Sequence, residues 1–327
     1  MSVSCGRGIK RNEEDSQYEL SQKKMKEIIL LTASLLLSGQ VICQEIKVSS
    51  GKAESVSITS EYIKTPRDII VWLPSGYDST KKYAVIYMND GQMLFDSTIT
   101  WNKQEWKADE VAAQLMEEQK IRPCIIVGIW NRGDYRYTEY FPQRALDDLS
   151  SRRRARMIRK SMMGEPLADS YLRFVVNELK PYIDNHYSTL NDPKNTIIIG
   201  SSMGGLISLY AICEYPGVFG GAGCLSTHLP MIGVNFFRKF DNHVARSFRN
   251  YLSTHLPQPG DHKIYFDFGT KTLDKWYGPY QKRVDNVMSS SGFTSDNWIT
   301  VKYEGHNHSE RSWSSRLNVP LTFLLGK

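Results

Sequence analysis

Cysteine is scarce in this chain: the 327 residues contain 5, and the three beyond residue 44, Cys124, Cys213 and Cys224, stand at no spacing that suits a metal site. Three is an odd number, which a fully paired disulfide framework does not allow. Cys124 and Cys213 lie in apolar patterns and read as small core residues. A membrane span is missing as well. Ile28 to Ile42 carries no charge, but fifteen residues fall short of the bilayer thickness. Charge of one sign is also lacking over most of the chain. The formal net charge is +6, yet the segment before Gln44 holds six basic and five acidic residues and the run Arg152 to Lys160 holds six basic ones, so the remainder is close to neutral. That distribution excludes a uniformly basic nucleic-acid surface. The basic run is expected as a solvated loop or helix face, with an anionic ligand as the alternative.

What is present is a globular composition, 41% hydrophobic and 11% aromatic, sufficient for one catalytic domain over residues 44–327. The segment before it has the form of a signal peptide: Lys23, Lys24 and Lys26, then the apolar run, then Val41-Ile-Cys43 with cleavage before Gln44. Met25 reads as the natural start, residues 1–24 as an upstream extension, and the mature chain is expected in the periplasm or secreted, with no stable membrane insertion after cleavage. A lipid anchor on Cys43 suits the segment less well, because Ile42 is bulky where a small residue is required.

The chemistry is concentrated at Asn195 to Gly205, N-T-I-I-I-G-S-S-M-G-G. Ile197, Ile198 and Ile199 suit a strand buried on both faces, Leu206 to Cys213 continues as a buried helix, and Gly200-x-Ser202-x-Gly204 lies between them. Strand, tight turn and helix are the context in which G-x-S-x-G marks a nucleophile elbow. Ser202 is then the nucleophile, not Ser201, and the N–H of Met203 at the helix start can face a developing oxyanion.

Around this point the chain alternates strands and helices. An antiparallel opening pair is expected at 54–60 and 67–73, and buried strands at 83–88 and 123–130. A helix is expected at 106–119, and another marked by Leu167, Tyr171, Val175 and Leu179 runs toward Pro181. After the elbow come strands at 219–225, 262–269 and 298–303, a helix around Tyr280 to Met288, and a last helix from 309 to 325; residues 228–260 are weakly patterned. The expected fold is α/β, a mostly parallel central sheet with helices on both faces. Such sheets place their sites at the carboxyl ends of strands. Asn89-Asp90-Gly91-Gln92, after one such strand, is expected to supply a second oxyanion N–H, from Gln92. Asp274 follows the strand at 262–269, and His306 and His308 follow the last one, in the order Ser, acid, His that an elbow requires. Asp274 is preferred to Asp267, which lies inside its strand, and His308 to His306. Asn131, Arg132, Arg136 and Glu139, on a polar and aromatic stretch, and Trp101 are expected to line the substrate site.

Taken together, G-S-S-M-G-G, M-N-D-G-Q, G-T-K-T-L-D and E-G-H-N-H-S-E-R-S-W resemble the putative esterase family of α/β-hydrolases over about residues 60–325. That family includes acetyl-xylan and feruloyl esterases, S-formylglutathione hydrolases and enterobactin-type siderophore esterases. The resemblance implies an α/β-hydrolase fold and hydrolysis of carboxylic esters through an acyl-enzyme on Ser202, His308 and Asp274. Gly305 to His308 matches the family's Gly-x-x-His arrangement; the acid loop is one residue longer than the commoner Gly-x-x-Asp. No metal or organic cofactor is required, and the partner is a small-molecule or oligosaccharide ester. Export favours acetyl or feruloyl esters of carbohydrates, then a siderophore trilactone; an acyltransferase on the same triad is the further alternative.

Overall fold

The computed structural model describes residues 46–231 and 242–326, so the expected signal peptide lies outside the described residues. β1 (Lys52–Ile58) and β2 (Arg67–Leu73) form the expected antiparallel pair, with Val56 opposite Ile69. β3 (Ala84–Asn89), β4 (Cys124–Ile129), β5 (Thr196–Ser201), β6 (Gly221–Leu225), β7 (Lys263–Gly269) and β8 (Trp298–Tyr303) are parallel to one another. The eight strands make one sheet in the order β1-β2-β4-β3-β5-β6-β7-β8.

The helices are α1 (Ala108–Glu117), α2 (Arg136–Tyr140), α3 (Ser151–Ser161), α4 (Ala168–Phe174), α5 (Lys180–His186), α6 (Met203–Glu214), α7 (Asn242–His255), α8 (Gly278–Ser290), α9 (Glu310–Ser314) and α10 (Asn318–Leu325). Alternation along each strand splits the apolar side chains between two layers. Ile198, Val85, Val127 and Phe266 pack with α4, α6, α7 and α8 on one side. Ile197, Ile199, Ile86 and Tyr265 pack with α1 and α10 on the other. Both faces being covered is why the central strands read as unbroken apolar runs. The three cysteines Cys124, Cys213 and Cys224 are buried and free, and burial pushes the Cys124 thiol up to about 12.

Three expectations are corrected. The helix expected to end near Pro181 continues through it to His186: a wide π-type turn, Val175–Leu179, precedes the proline and absorbs the rung that its missing N–H removes. The last helix is two, α9 and α10, because the ring of Pro320 does not tolerate a continuous helix through Arg316. The weakly patterned region contains α7, whose Val244, Ala245, Phe248, Tyr251 and Leu252 are all buried.

The order of strands reverses between β3 and β5. β3 connects outward to β4 on one side, and β5 leads to β6 on the other, so the carboxyl ends of β3 and β5 flank the crevice where such sheets bind ligands.

Candidate active site

β5 ends at Ser201 and the chain turns sharply. Ser202 has φ 57° and ψ −116°, a conformation that side chains rarely adopt, and caps the start of α6. The strain is held from both sides: Ser202 N donates to Leu225 O at 2.9 Å, and its carbonyl accepts from His228 N at 3.1 Å and Leu206 N at 3.2 Å. A Cβ at Gly200 would lie 2.6 Å from the backbone of Gly204, so the turn closes only with glycine there. Met203 N is the first helical amide of α6 and has no acceptor within the helix, as at any helix N-terminus.

The loop after β3 reaches the same point. Asp90 is left-handed at φ 62°, and a Cβ on Gly91 would lie 2.3 Å from Gly128, so glycine lets this loop press onto β4. Arg136 grips Asp90 with two bonds, Nε to Oδ1 at 2.6 Å and an Nη to Oδ2 at 2.7 Å, and Asn131 Nδ2 adds a third at 2.8 Å. The backbone of Gln92 follows directly, and the Gln92 side chain accepts from Asn131 N at 3.1 Å.

On the other side, His308 Nδ1 meets Asp274 Oδ1 at 2.6 Å. Asp274 is fully buried, and its second oxygen accepts from Gly269 N at 2.7 Å and from Ser226 Oγ at 2.6 Å. Burial raises the Asp274 pKa, but the bond and charge of His308, with Ser226 and Gly269, outweigh it and hold the carboxyl below its ordinary value. The His308 ring lies edge-on to Trp313 at 5.0 Å and to Tyr277 at 5.8 Å between centroids, which fixes its plane. Asp267 makes no bond to His308 and shares Ser226 and Arg316 with Asp274. It is clamped by Arg316 at 2.8 and 3.0 Å and by Ser226 N at 2.9 Å. His306 packs on Tyr303, and its carbonyl accepts from Thr270 N and Lys271 N.

Ser202, His308, Gln92 and Arg136 line one cleft of about 880 Å³. Its walls are rich in indole, with Trp101, Trp106, Trp130 and Trp313, and Trp101 is 83% exposed at the rim. Trp130 Nε1 is buried without a hydrogen-bond partner. Glu310 also lines the cleft and accepts from Asn102 Nδ2 at 2.7 Å, which ties the Trp101 loop to α9.

A sequence model of the family described as Putative esterase matches residues 60–324. The chain belongs to this family. A relative from Bacillus subtilis (strain 168), an uncharacterized protein YbbA, is 23% identical over 82% of this esterase and 96% of its own length. An endo-1,4-beta-xylanase/feruloyl esterase of Xylanibacter ruminicola is 26% identical over 56% of this chain, which spans only 23% of that longer protein. Among solved structures, a CE1 ferulic acid esterase from Anaeromyces mucronatus in complex with ferulic acid superposes with a TM-score of 0.57, at 19% identity over 85% of this chain and 93% of that one. The enterobactin esterase of Shigella flexneri gives 0.58, at 16% identity over 83% of this chain and 58% of that one. At such identities the structural matches establish the α/β-hydrolase fold.

Of the residues expected on the esterase's substrate site, Trp101, Asn131 and Arg136 line the cleft. Glu139 and Arg132 are corrected. Glu139 is fully buried and takes two bonds from Arg67, at 2.7 and 3.1 Å, joining α2 to β2. Arg132 leans on the Tyr135 ring and reaches Glu139 at 3.4 Å, and neither residue is part of the cleft wall. Only the second part of the stretch read as a site-lining loop is core, Thr138 to Pro142, with Tyr140 and Phe141 wholly buried. Ser226, Trp313, Arg316 and Tyr277 were not found by sequence reasoning. An arginine placed directly before the mostly apolar stretch Leu317 to Leu325 was the available signal for Arg316.

Proposed function

We propose that this esterase is a serine carboxylic ester hydrolase acting through an acyl-enzyme on Ser202, His308 and Asp274. The observation that carries it is the 2.6 Å contact between His308 and the buried Asp274, on a cleft whose floor is the strained Ser202. In this scheme Asp274 holds His308 with Nδ1 protonated, leaving Nε2 as the base that takes the Ser202 proton as Oγ attacks the ester carbonyl. The N–H groups of Met203 and Gln92 receive the oxyanion, the first aided by the N-terminus of α6. The imidazolium protonates the leaving alcohol, and the same base then activates water to release the acid. Arg136 and Asp90 act in this scheme by shaping the loop that carries Gln92, so Arg136 positions a donor instead of binding substrate.

The proposed substrates are acetyl or feruloyl esters of carbohydrates. Indole faces stack on sugar and aryl rings, and four indoles line the cleft. Among the described residues the cleft's one arginine is spent on Asp90, and Glu310 adds a negative charge, a poor match for a strongly anionic ferric catecholate. The siderophore trilactone is the second reading, favoured by the structural likeness to an enterobactin esterase. An acyltransferase differs only in the acceptor, and turnover with and without an added sugar alcohol separates it from a hydrolase. Export to the periplasm belongs to the same proposal, and mass spectrometry of protein from a Gram-negative host is expected to show a mature N-terminus near Gln44. Rates on acetylated xylan oligosaccharides, feruloylated arabinose and a triscatecholate lactone test the substrate order. The sugar esters are expected to turn over fastest, and activity confined to the lactone reverses the ranking.

A further inference from the structure

We propose that the cavity between α7 and the segment entering α3 binds a sugar acid, giving the protein a second, non-catalytic site for acidic polysaccharide. Two independent features lead there. The first is a set of arginines without counter-ions. On α3, Arg152, Arg153, Arg156 and Arg159 make no ion pair among the described residues, and Arg154 has only an exposed contact with Asp147 at 3.4 Å. On α7, Arg249 lies near both Arg283 of α8 and Arg246, and neither Arg246 nor Arg249 makes an ion pair with a carboxylate among the described residues; burial, then repulsion from Arg283 and Arg246, lowers the Arg249 pKa. Clustered guanidinium groups that gain nothing within the fold are suited to carboxylate recognition.

The second feature is the cavity itself, about 410 Å³, with Arg153, Arg246, His243, Ser247, Asn250 and Asp148 on its walls. Ser247 is 3% exposed and its hydroxyl has no hydrogen-bond partner, an unfavourable state for a buried polar atom unless an occupant supplies one. Arg246 donates to His243 Nδ1 at 2.9 Å, which steadies the guanidinium. Asn250 Nδ2 donates to Asp148 Oδ2 at 2.8 Å, leaving the other Asp148 oxygen as an acceptor. The mixture selects the ligand. Arginines call for an anion, yet Asp148 repels one that carries acceptors only, such as sulfate. A uronate satisfies both, with its carboxylate on Arg153 and Arg246 and its hydroxyls on Asp148 and Ser247. The volume lies in the range of small-molecule sites, about 300–1,000 Å³.

None of these residues belongs to the catalytic cleft, so the proposal stands or falls separately from the ester chemistry. The test is calorimetric titration of the full chain with trigalacturonate and, as the neutral match, galactotriose. The acidic trimer is expected to bind, more weakly as salt rises, and the neutral one not to bind. Arg153→Ala with Arg246→Ala is expected to weaken binding at least tenfold. Ser247→Ala is expected to weaken it a few-fold while melting no lower than the parent, since it removes an unpartnered hydroxyl. Aryl-ester hydrolysis is expected to stay within about twofold in every variant. Equal binding of the two trimers, undiminished binding by the double arginine variant, or displacement of the trimer by equimolar sulfate overturns the assignment.

Discussion

Asp267 and Asp274 lie seven residues apart around the end of β7, both are buried, and both touch Ser226, yet they are arranged for different work. Asp267 faces Arg316, a permanent cation whose side chain is 1% exposed, and takes two bonds from it. Burial raises its pKa and Arg316 offsets this only in part. Asp274 faces His308, which is 15% exposed on the cleft and can gain and lose a proton. Burial is common to both carboxylates, so it does not assign the role. Arg316 lies near both, 4.0 Å from Asp274 as well, so what differs is the bonded partner: Asp267 takes two bonds from a buried guanidinium, and Asp274 takes one from an imidazole that reaches the cleft. The first pair joins β7 to the segment between α9 and α10, and the second is the one that the proposed mechanism uses for proton transfer.

The largest expected effect lies on the titrating side. Ser202→Ala and His308→Ala are each expected to lower steady-state turnover of an aryl ester about 10⁴-fold, while the melting temperature stays within about 2 °C. The locked side is expected to behave in the opposite way. Arg316→Leu leaves Asp267 buried without its cation and is expected to cost about 3–5 kcal/mol in urea unfolding; because Arg316 also bonds Ser226 and lies 4.0 Å from Asp274, turnover per folded molecule is expected to fall too, by far less than for His308→Ala. If Asp267→Asn were to abolish turnover without loss of stability, the two roles would have to be exchanged. Asp274→Asn is expected to reduce turnover by about 10²–10³-fold, less than loss of His308, because the acid orients and stabilises the imidazolium without receiving its proton. His306→Ala is expected to stay within about tenfold in the same assay; a larger loss than for His308→Ala would move the base.

A third carboxylate sharpens the contrast, since among the described residues it makes no ion pair with a cation. Asp109 is buried beside Glu110 and accepts from Ser49 N at 2.7 Å and Ser50 N at 3.3 Å. Burial and Glu110 push its pKa up to about 7. The folded chain therefore holds a proton that the unfolded chain releases near pH 4. Stability contributed by this group is present at low pH and declines as pH rises from about 4 to 7. Asp109→Asn is expected to flatten that decline and to raise the melting temperature at pH 8 by about 2–4 °C. An unchanged profile of melting temperature against pH would count against the assignment.

Much of this was legible along the chain because it depends on neighbours in sequence. Buried parallel strands declare themselves as apolar runs such as Ile197 to Ile199, and glycine-bracketed Ser202 needs only the strand before it and the helix after it. Asp274 and His308 were legible through a rule about strand ends, which converts chain order into spatial position. Even α7 had its pattern in Val244, Phe248 and Leu252, which polar and basic neighbours obscured. The fate of the polar stretch after β4 depended on something else. Arg136 and Glu139 are three residues apart and equally plausible as substrate contacts, and their fates were set by Asp90 and Arg67, brought in from distant strands. The sequence by itself determined the layered sheet, the strained turn at Ser202 and the side chains proposed as acid and base, because local periodicity and turn chemistry act over a few residues. Only the tertiary structure decided which charges are used up inside the fold. Desolvation makes each buried charge seek a partner, and nothing in the linear order says how far away that partner lies.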